Sequence, residues 1–196
     1  MLRKNRHMSK FLDICSLYLS DYRLSFTGRE IARRLAVNHQ TALSILKLMV
    51  SRGILKSRVQ GRNFLYSLNL DDFNVHHFLI LTETLHAQAF LENFELKSVI
   101  KELFSFADAI VVFGSFAQNK QKESSDLDLV LVQPTSRQNI GKILHLFPRE
   151  INVHYVTWKE FIASLNTKNH LALEIKKNHV IYGNVARIVE TYVRSV

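Results

Sequence analysis

Apolar residues recur along this chain with two periods, and the changes of period divide it. Over residues 9–20, Phe11, Leu12, Ile14, Cys15, Leu17, Tyr18 and Leu19 predict a mostly buried helix. Thr27-Gly28-Arg29-Glu30 has the spacing of a capping box, with Thr27 as N-cap, and predicts a short helix carrying Ile31, Ala32 and Leu35. Ala36-Val37 makes a turn, and Asn38 can cap the next helix. The inner face of that helix holds Ala42, Ile45, Leu46, Met49 and Val50, and Gly53 stands where a C-terminal cap belongs. The period then shortens. Residues 54–59 and 64–68 read as two strands around the polar, Gly-containing turn 60–63, a hairpin.

From Phe73 to Leu103 there is no Gly or Pro, and the apolar positions (Phe78, Leu79, Leu81, Leu85, Ala89, Phe90, Phe94) predict one long helix or two. Asn69-Leu70-Asp71-Asp72 can cap its start. Ala109 to Phe113 reads as a strand that feeds the tight turn Gly114-Ser115. A polar loop follows, then a second strand from Ser125 to Val132. Further on, residues 137–147 suit a helix that Pro148 breaks, and 151–156 alternate as a strand. Residues 158–165 and 168–178 read as helices, 180–183 as a short strand and 184–194 as a closing helix.

The two strands around the loop carry the chemistry. Period 2 puts Asp126 and Asp128 on one face and Leu127 and Leu129 on the other, toward the core. Two neighbouring acids repel unless a cation sits between them, and hard oxygen ligands favour magnesium or manganese. A helix starting at Gly114-Ser115 offers backbone N–H groups to a phosphate, and Gly114 lets that phosphate approach closely. A phosphate seat facing a metal seat is the plan of a nucleoside triphosphate site.

Gly114-Ser115, a short helix and Ser125-Asp126-Leu127-Asp128 resemble the signature of the DNA polymerase beta-like nucleotidyltransferase superfamily, most closely its minimal prokaryotic members, over about residues 106 to 185. The resemblance implies Asp126 and Asp128 as catalytic metal ligands, two magnesium ions, and a triphosphate, ATP being the expected one. It implies that Gly114, Ser115 and Ser125 hold the nucleotide; Lys120 and Lys122 of the loop either reach triphosphate oxygens or stay solvated. Where the family often has a basic residue and then glycine, this chain has Gln118 and Asn119, and Asn tolerates glycine-like backbone angles. The family usually brings a third carboxylate to the metals from the strand 151–156. Alignment puts Asn152 there; it can ligate through its carbonyl oxygen but cannot act as a general base. Glu150 and His154 share its face and are the candidates to compensate.

Charge changes the reading of the first third. The formal net charge is +9, and residues 1–72 hold 13 Lys/Arg against 5 Asp/Glu, whereas residues 73–196 hold 13 against 12. That bias points to a polyanion. The two helices and the hairpin resemble the winged-helix DNA-binding domain of prokaryotic regulators, over about residues 9–70. The resemblance implies that the helix from Asn38 to Arg52 enters the major groove of double-stranded DNA, presenting His39, Gln40, Ser44 and Lys47. Lys56, Arg58 and Arg62 of the wing then meet phosphates. Arg3, Lys4 and Arg6 make residues 1–8 basic, either a solvated tail or an arm reaching a phosphate backbone. Winged helices also serve as protein–protein modules.

The expected fold is therefore α+β: a winged helix at 1–70, a helical linker at 71–105, and a nucleotidyltransferase-type mixed sheet with flanking helices at 106–196. One cysteine, Cys15, excludes an internal disulfide and reads as a buried, inert thiol. With no apolar run of signal-peptide or membrane-spanning length, a cytoplasmic protein is expected. His76, His77 and His86 lack a zinc-site spacing. The functional expectation is a DNA-binding protein with a metal-dependent nucleotidyltransferase acting on an unknown acceptor: a protein side chain, a nucleic-acid end or a small molecule. The alternative is a regulator whose nucleotidyltransferase-like domain senses nucleotide or dimerises. Reading a palindrome would imply a homodimer.

Overall fold

The computed structural model describes residues 5–122, 124–167 and 169–195, with side chains from residue 8 onward. Arg3 and Lys4 of the basic stretch 1–8 lie outside the described residues, as does the Arg6 side chain. The chain forms two compact units, residues 1–82 and 83–196.

The first unit contains α1 (Asn5–Ser16), β1 (Ser25–Thr27), α2 (Gly28–Arg34), α3 (His39–Ser51), β2 (Leu55–Gln60) and β3 (Asn63–Leu68), and the division falls inside α4 (Phe73–Phe90). The start of α2 has the full capping box: the Glu30 N–H donates to Thr27 Oγ1 at 3.2 Å, and Thr27 N–H donates to Glu30 Oε2 at 2.7 Å. Asn38 caps α3 by accepting from Gln40 N–H at 2.8 Å. At the other end Gly53, at φ 73°, donates to the Val50 carbonyl and Ile54 to that of Met49, the paired bonds of a Schellman motif. Ala42, Ile45, Leu46 and Met49 are buried as expected, and Val50 only partly.

Two differences from the expectation have local causes. The first helix ends at Ser16, and residues 17–20 close in tight turns, Leu17 and Tyr18 donating three residues back. Tyr18 stays fully buried because its hydroxyl donates to the Tyr66 carbonyl at 2.9 Å. Strand β1 was not expected; three residues are too few for a period to register. It pairs antiparallel with β3, which pairs with β2, in the order β1-β3-β2. The hairpin turns on Gly61-Arg62, with Gln60 opposite Asn63.

The second unit packs helices around a four-stranded mixed sheet. Its elements are α5 (Phe94–Leu103), β4 (Ala107–Phe113), α6 (Gly114–Ala117), β5 (Leu127–Pro134), α7 (Arg137–Leu144), β6 (Ile151–Val156), α8 (Trp158–Asn166), α9 (His170–Lys177), β7 (Val180–Gly183) and α10 (Val185–Arg194). The sheet order is β6-β5-β4-β7, with β4 antiparallel to both neighbours and β5 parallel to β6. Of the one-helix and two-helix alternatives the structure has two, because Asn93 caps α5 by accepting from Leu96 N–H at 2.9 Å. Helix α7 stops at Leu144, and α9 starts at His170, capped by Asn169, with Lys168 outside the described residues. Ile110, Val112, Leu127, Leu129 and Leu131 are buried on the sheet face that packs with Leu96, Val99, Ile100, Leu103 and Ile140. Leucines and valines on both faces make β4 and β5 the interior of the unit, so residues at their ends are held by rigid backbone.

Candidate functional site

The end of β4 and the start of β5 meet where the sequence placed the chemistry. Phe113 on β4 lies opposite Asp128 on β5, which lies opposite Asn152 on β6, so three paired residues form one row across the sheet. Gly114 follows Phe113 with φ 69°, a backbone that L side chains rarely adopt. A Cβ there would collide with Asp128 Oδ2 and stand 3.3 Å from its Cγ. Glycine is thus required twice, by the turn and by the close approach of the Asp128 carboxylate to the α6 backbone. The α6 helix has only one turn, and Lys120 N–H returns to the Ser115 carbonyl at 2.9 Å. Asn119 takes φ 53°, a glycine-like backbone that asparagine tolerates.

Asp128 is half-buried, and Leu127 and Leu129 on either side are buried, as the alternation implied. Asp126 is exposed on the loop before β5 rather than on the strand itself. Ser125 braces that loop, its hydroxyl accepting from Lys122 N–H at 2.8 Å while its own N–H donates to the Lys122 carbonyl at 3.0 Å. The side chains of Lys120 and Lys122 are exposed.

Asn152 faces the site, and its Nδ2 donates to Asp128 Oδ1 at 3.2 Å. Glu150 and His154 are exposed, and the His154 ring lies 5.9 Å from that of Phe113. Among the described residues no three His, Cys, Asp or Glu side chains form a group able to hold a metal. Of the three ligands the sequence proposed, Asp128 and Asn152 are in contact, with the amide nitrogen turned inward, and Asp126 is exposed on the preceding loop. Magnesium keeps several waters and binds through one or two carboxylates plus substrate phosphates. Residues so arranged would suit a metal that arrives with a triphosphate and would not cage one by themselves.

One polar residue at this end was not singled out in the sequence. Arg149 has its Nε 2.8 Å from Glu95 Oε1, donates from Nη1 to the carbonyls of Ser125 and Lys122, and places its guanidinium 5.2 Å from the Phe116 ring. Each partner lies at least 24 residues away in sequence, so no local pattern announces it.

Residues 95–184 match the family model of the nucleotidyltransferase domain. The match covers a little under half of the chain and runs from α5 through Gly114, both aspartates and Asn152 to the end of β7. It supports nucleotidyl transfer in general as the chemistry of the second unit, with a nucleoside triphosphate as the implied substrate. No curated protein and no solved structure gave a significant match.

In the first unit the seven residues proposed to meet DNA divide by environment. Gln40, Lys47, Arg58 and Arg62 are exposed and form no ion pair among the described residues. Ser44 is exposed, its hydroxyl donating to the Gln40 carbonyl at 2.9 Å. His39 is half-buried, and a Cβ on Gly28 of α2 would lie 3.7 Å from its Nε2. Lys56 is held by Asp71 at 2.5 Å, a bond that also lowers the Asp71 pKa. Val59 and Phe64 face each other near the hairpin tip, 68% and 58% exposed, so the hairpin projects beyond the core. Cys15 is buried, which pushes its thiol up to about 12, so it carries no thiolate chemistry. Among the described residues no helix is long and apolar enough to cross a membrane.

Proposed function

We propose that this chain is a DNA-binding protein whose nucleotidyltransferase domain moves a nucleoside monophosphate from a triphosphate, ATP as the expected donor, to an acceptor hydroxyl. The observation that carries it is the Gly114–Asp128 approach inside a segment matching the nucleotidyltransferase domain. Gly114 and Ser115 would receive phosphate oxygens through their backbone, and Ser125 and Lys122 would frame the loop beside them. Asp126 and Asp128, with the Asn152 oxygen if its amide turns, would hold one or two magnesium ions. A bound divalent ion supplies charge neutralisation at the phosphates and the departing pyrophosphate. The new bond joins the acceptor oxygen to the α-phosphorus, the bond to the β-phosphate oxygen breaks, and the acceptor proton passes to solvent, since Asn152 cannot accept it.

The first unit supplies the DNA part of the proposal. A helix preceded by a tight turn, an adjoining projecting hairpin and a strong basic bias support a winged helix, with α3 in the major groove and the hairpin at the backbone. Its Gln40 would read adenine and Lys47 guanine or a phosphate. A cytoplasmic homodimer reading a palindrome belongs to the same proposal.

One observation favours a second reading. The Asn152 amide donates to Asp128 where the family resemblance expects a third acid. Under this reading the domain holds nucleotide, turns over slowly if at all, and regulates DNA binding as a sensor.

Incubation with α-labelled ATP, GTP, CTP and UTP plus magnesium, with and without cell extract, separates the readings. Label transferred by the wild type but not by Asp126→Asn/Asp128→Asn supports the transferase. Magnesium-dependent triphosphate binding without transfer supports the sensor.

A further inference from the structure

We infer that Arg149 is the positioning residue of the nucleotide site: it ties the loop that presents Asp126 to α5 and α6 and so fixes where the first carboxylate stands. The inference rests on the nucleotidyltransferase reading and adds to it a residue outside the two-aspartate signature.

The geometry assigns three jobs to one guanidinium. Its Nε side is anchored by the Glu95 carboxylate, in the first turn of α5, at 2.8 Å. Its Nη1 donates to the carbonyls of Ser125 and Lys122, the residues that brace each other just before Asp126. Its Cζ lies 5.2 Å from the ring centroid of Phe116, which is 2% exposed and sits in the one-turn helix that begins at Gly114. The Arg149 and Glu95 side chains are only 17% and 29% exposed, so the pair is partly shielded from solvent. The chain around it adds a fourth tie, since Leu127 N–H donates to the Glu150 carbonyl at 3.0 Å.

Asp126 needs such a strap. It lies before β5, where no strand ladder holds it, whereas Asp128 is fixed by pairing on both sides. Arginine suits the task because its planar fork donates in several fixed directions at once, while lysine offers a single rotatable ammonium. Misplacement of a liganding group by about 1 Å can cost about a hundredfold in a reaction that depends on orientation. The expected signature of losing the strap is a site that still folds but demands more metal.

The test is magnesium titration of fluorescent ATP-analogue binding by the full chain, with thermal unfolding recorded beside it. Arg149→Lys, which keeps the charge and loses the fork, is expected to raise the magnesium concentration at half-saturation about tenfold with little change in melting temperature. Glu95→Gln, which keeps a hydrogen-bond acceptor, is expected to shift it less. Asp126→Asn serves as the reference for a lost ligand. If Asp126→Asn abolishes the magnesium dependence and folded Arg149→Lys matches the wild type, the positioning role is overturned while the site reading stands. If the wild type shows no magnesium-dependent binding, or Asp126→Asn does not alter it, the site reading fails and this inference with it.

Discussion

In the first unit Gln40, Lys47, Arg58 and Arg62 reach outward with no ion pair among the described residues, whereas in the second Gly114, Asp128, Asn152 and Arg149 are each fixed by a neighbour. The contrast follows from what each surface is proposed to bind. A nucleic-acid backbone is a long array of charges, and flexible exposed cations meet it through counterion release, with little need for angstrom precision. A triphosphate and its metal must be held in one geometry, and that requires groups whose positions are settled before the ligand arrives. Preorganised residues should therefore fail sharply on single substitution, and exposed cations gradually.

The sharpest failure is expected at Gly114. Gly114→Ala forces a side chain into a left-handed backbone and against Asp128, so triphosphate binding should weaken at least a hundredfold, with about 1–3 kcal/mol of unit-2 stability lost. Triphosphate titration with denaturant unfolding checks both; wild-type affinity in the variant would show that the close approach is incidental. Next comes Asn152→Asp. If the missing acid limits transfer, this variant should transfer label from α-labelled ATP at least tenfold faster than the wild type, and an unchanged or lower rate would remove Asn152 as the cause.

In the first unit, Arg58→Ala/Arg62→Ala should lower affinity for duplex DNA about tenfold and reduce the slope of log K against log salt by about 2, near one per lost phosphate contact. Gln40→Ala/Lys47→Ala should instead erase preference among sequences, and sequence-specific binding left intact would count against α3 as the reading helix.

A smaller effect concerns pH. His179 is buried, which by itself disfavours its charged form, but the Glu83 carboxylate at 2.9 Å and the Lys176 carbonyl outweigh burial and raise its pKa. The stabilisation is complete below the unfolded value, about 6.5, and is lost as pH rises through the higher folded value. His86 acts oppositely: burial lowers its pKa, Glu83 opposes that and His179 adds to it, so its effect appears as lost stability on the acid side. Melting temperature of the second unit should fall from pH 6.5 to 8, and His179→Gln should flatten that fall.

Much of this layout was legible in the sequence. The capping box at Thr27, the Asn38 cap, the Gly53 stop and the hairpin are short-range devices written in adjacent residues, and each stands where it was expected. Gly114 and Asn119, read as a tight turn and as a residue that tolerates glycine-like angles, both take positive φ. What stayed hidden depends on long-range pairing. Nothing near Arg149 indicates that its fork will reach carbonyls 24 and 27 residues away. Alternation put Asp126 on the strand, but β5 starts one residue later, so the two aspartates are supported differently. The same pattern could not say whether Glu150 or His154 would join Asp128; both are exposed.

The central claim is that Asp126 and Asp128 form a metal–triphosphate seat against Gly114. Calorimetric titration of the full chain with ATP, with and without magnesium, tests it most directly when run beside Asp126→Asn/Asp128→Asn. Saturable binding by the wild type that requires magnesium and disappears in the double variant is the expected result. Binding that ignores both magnesium and the two aspartates would contradict the account.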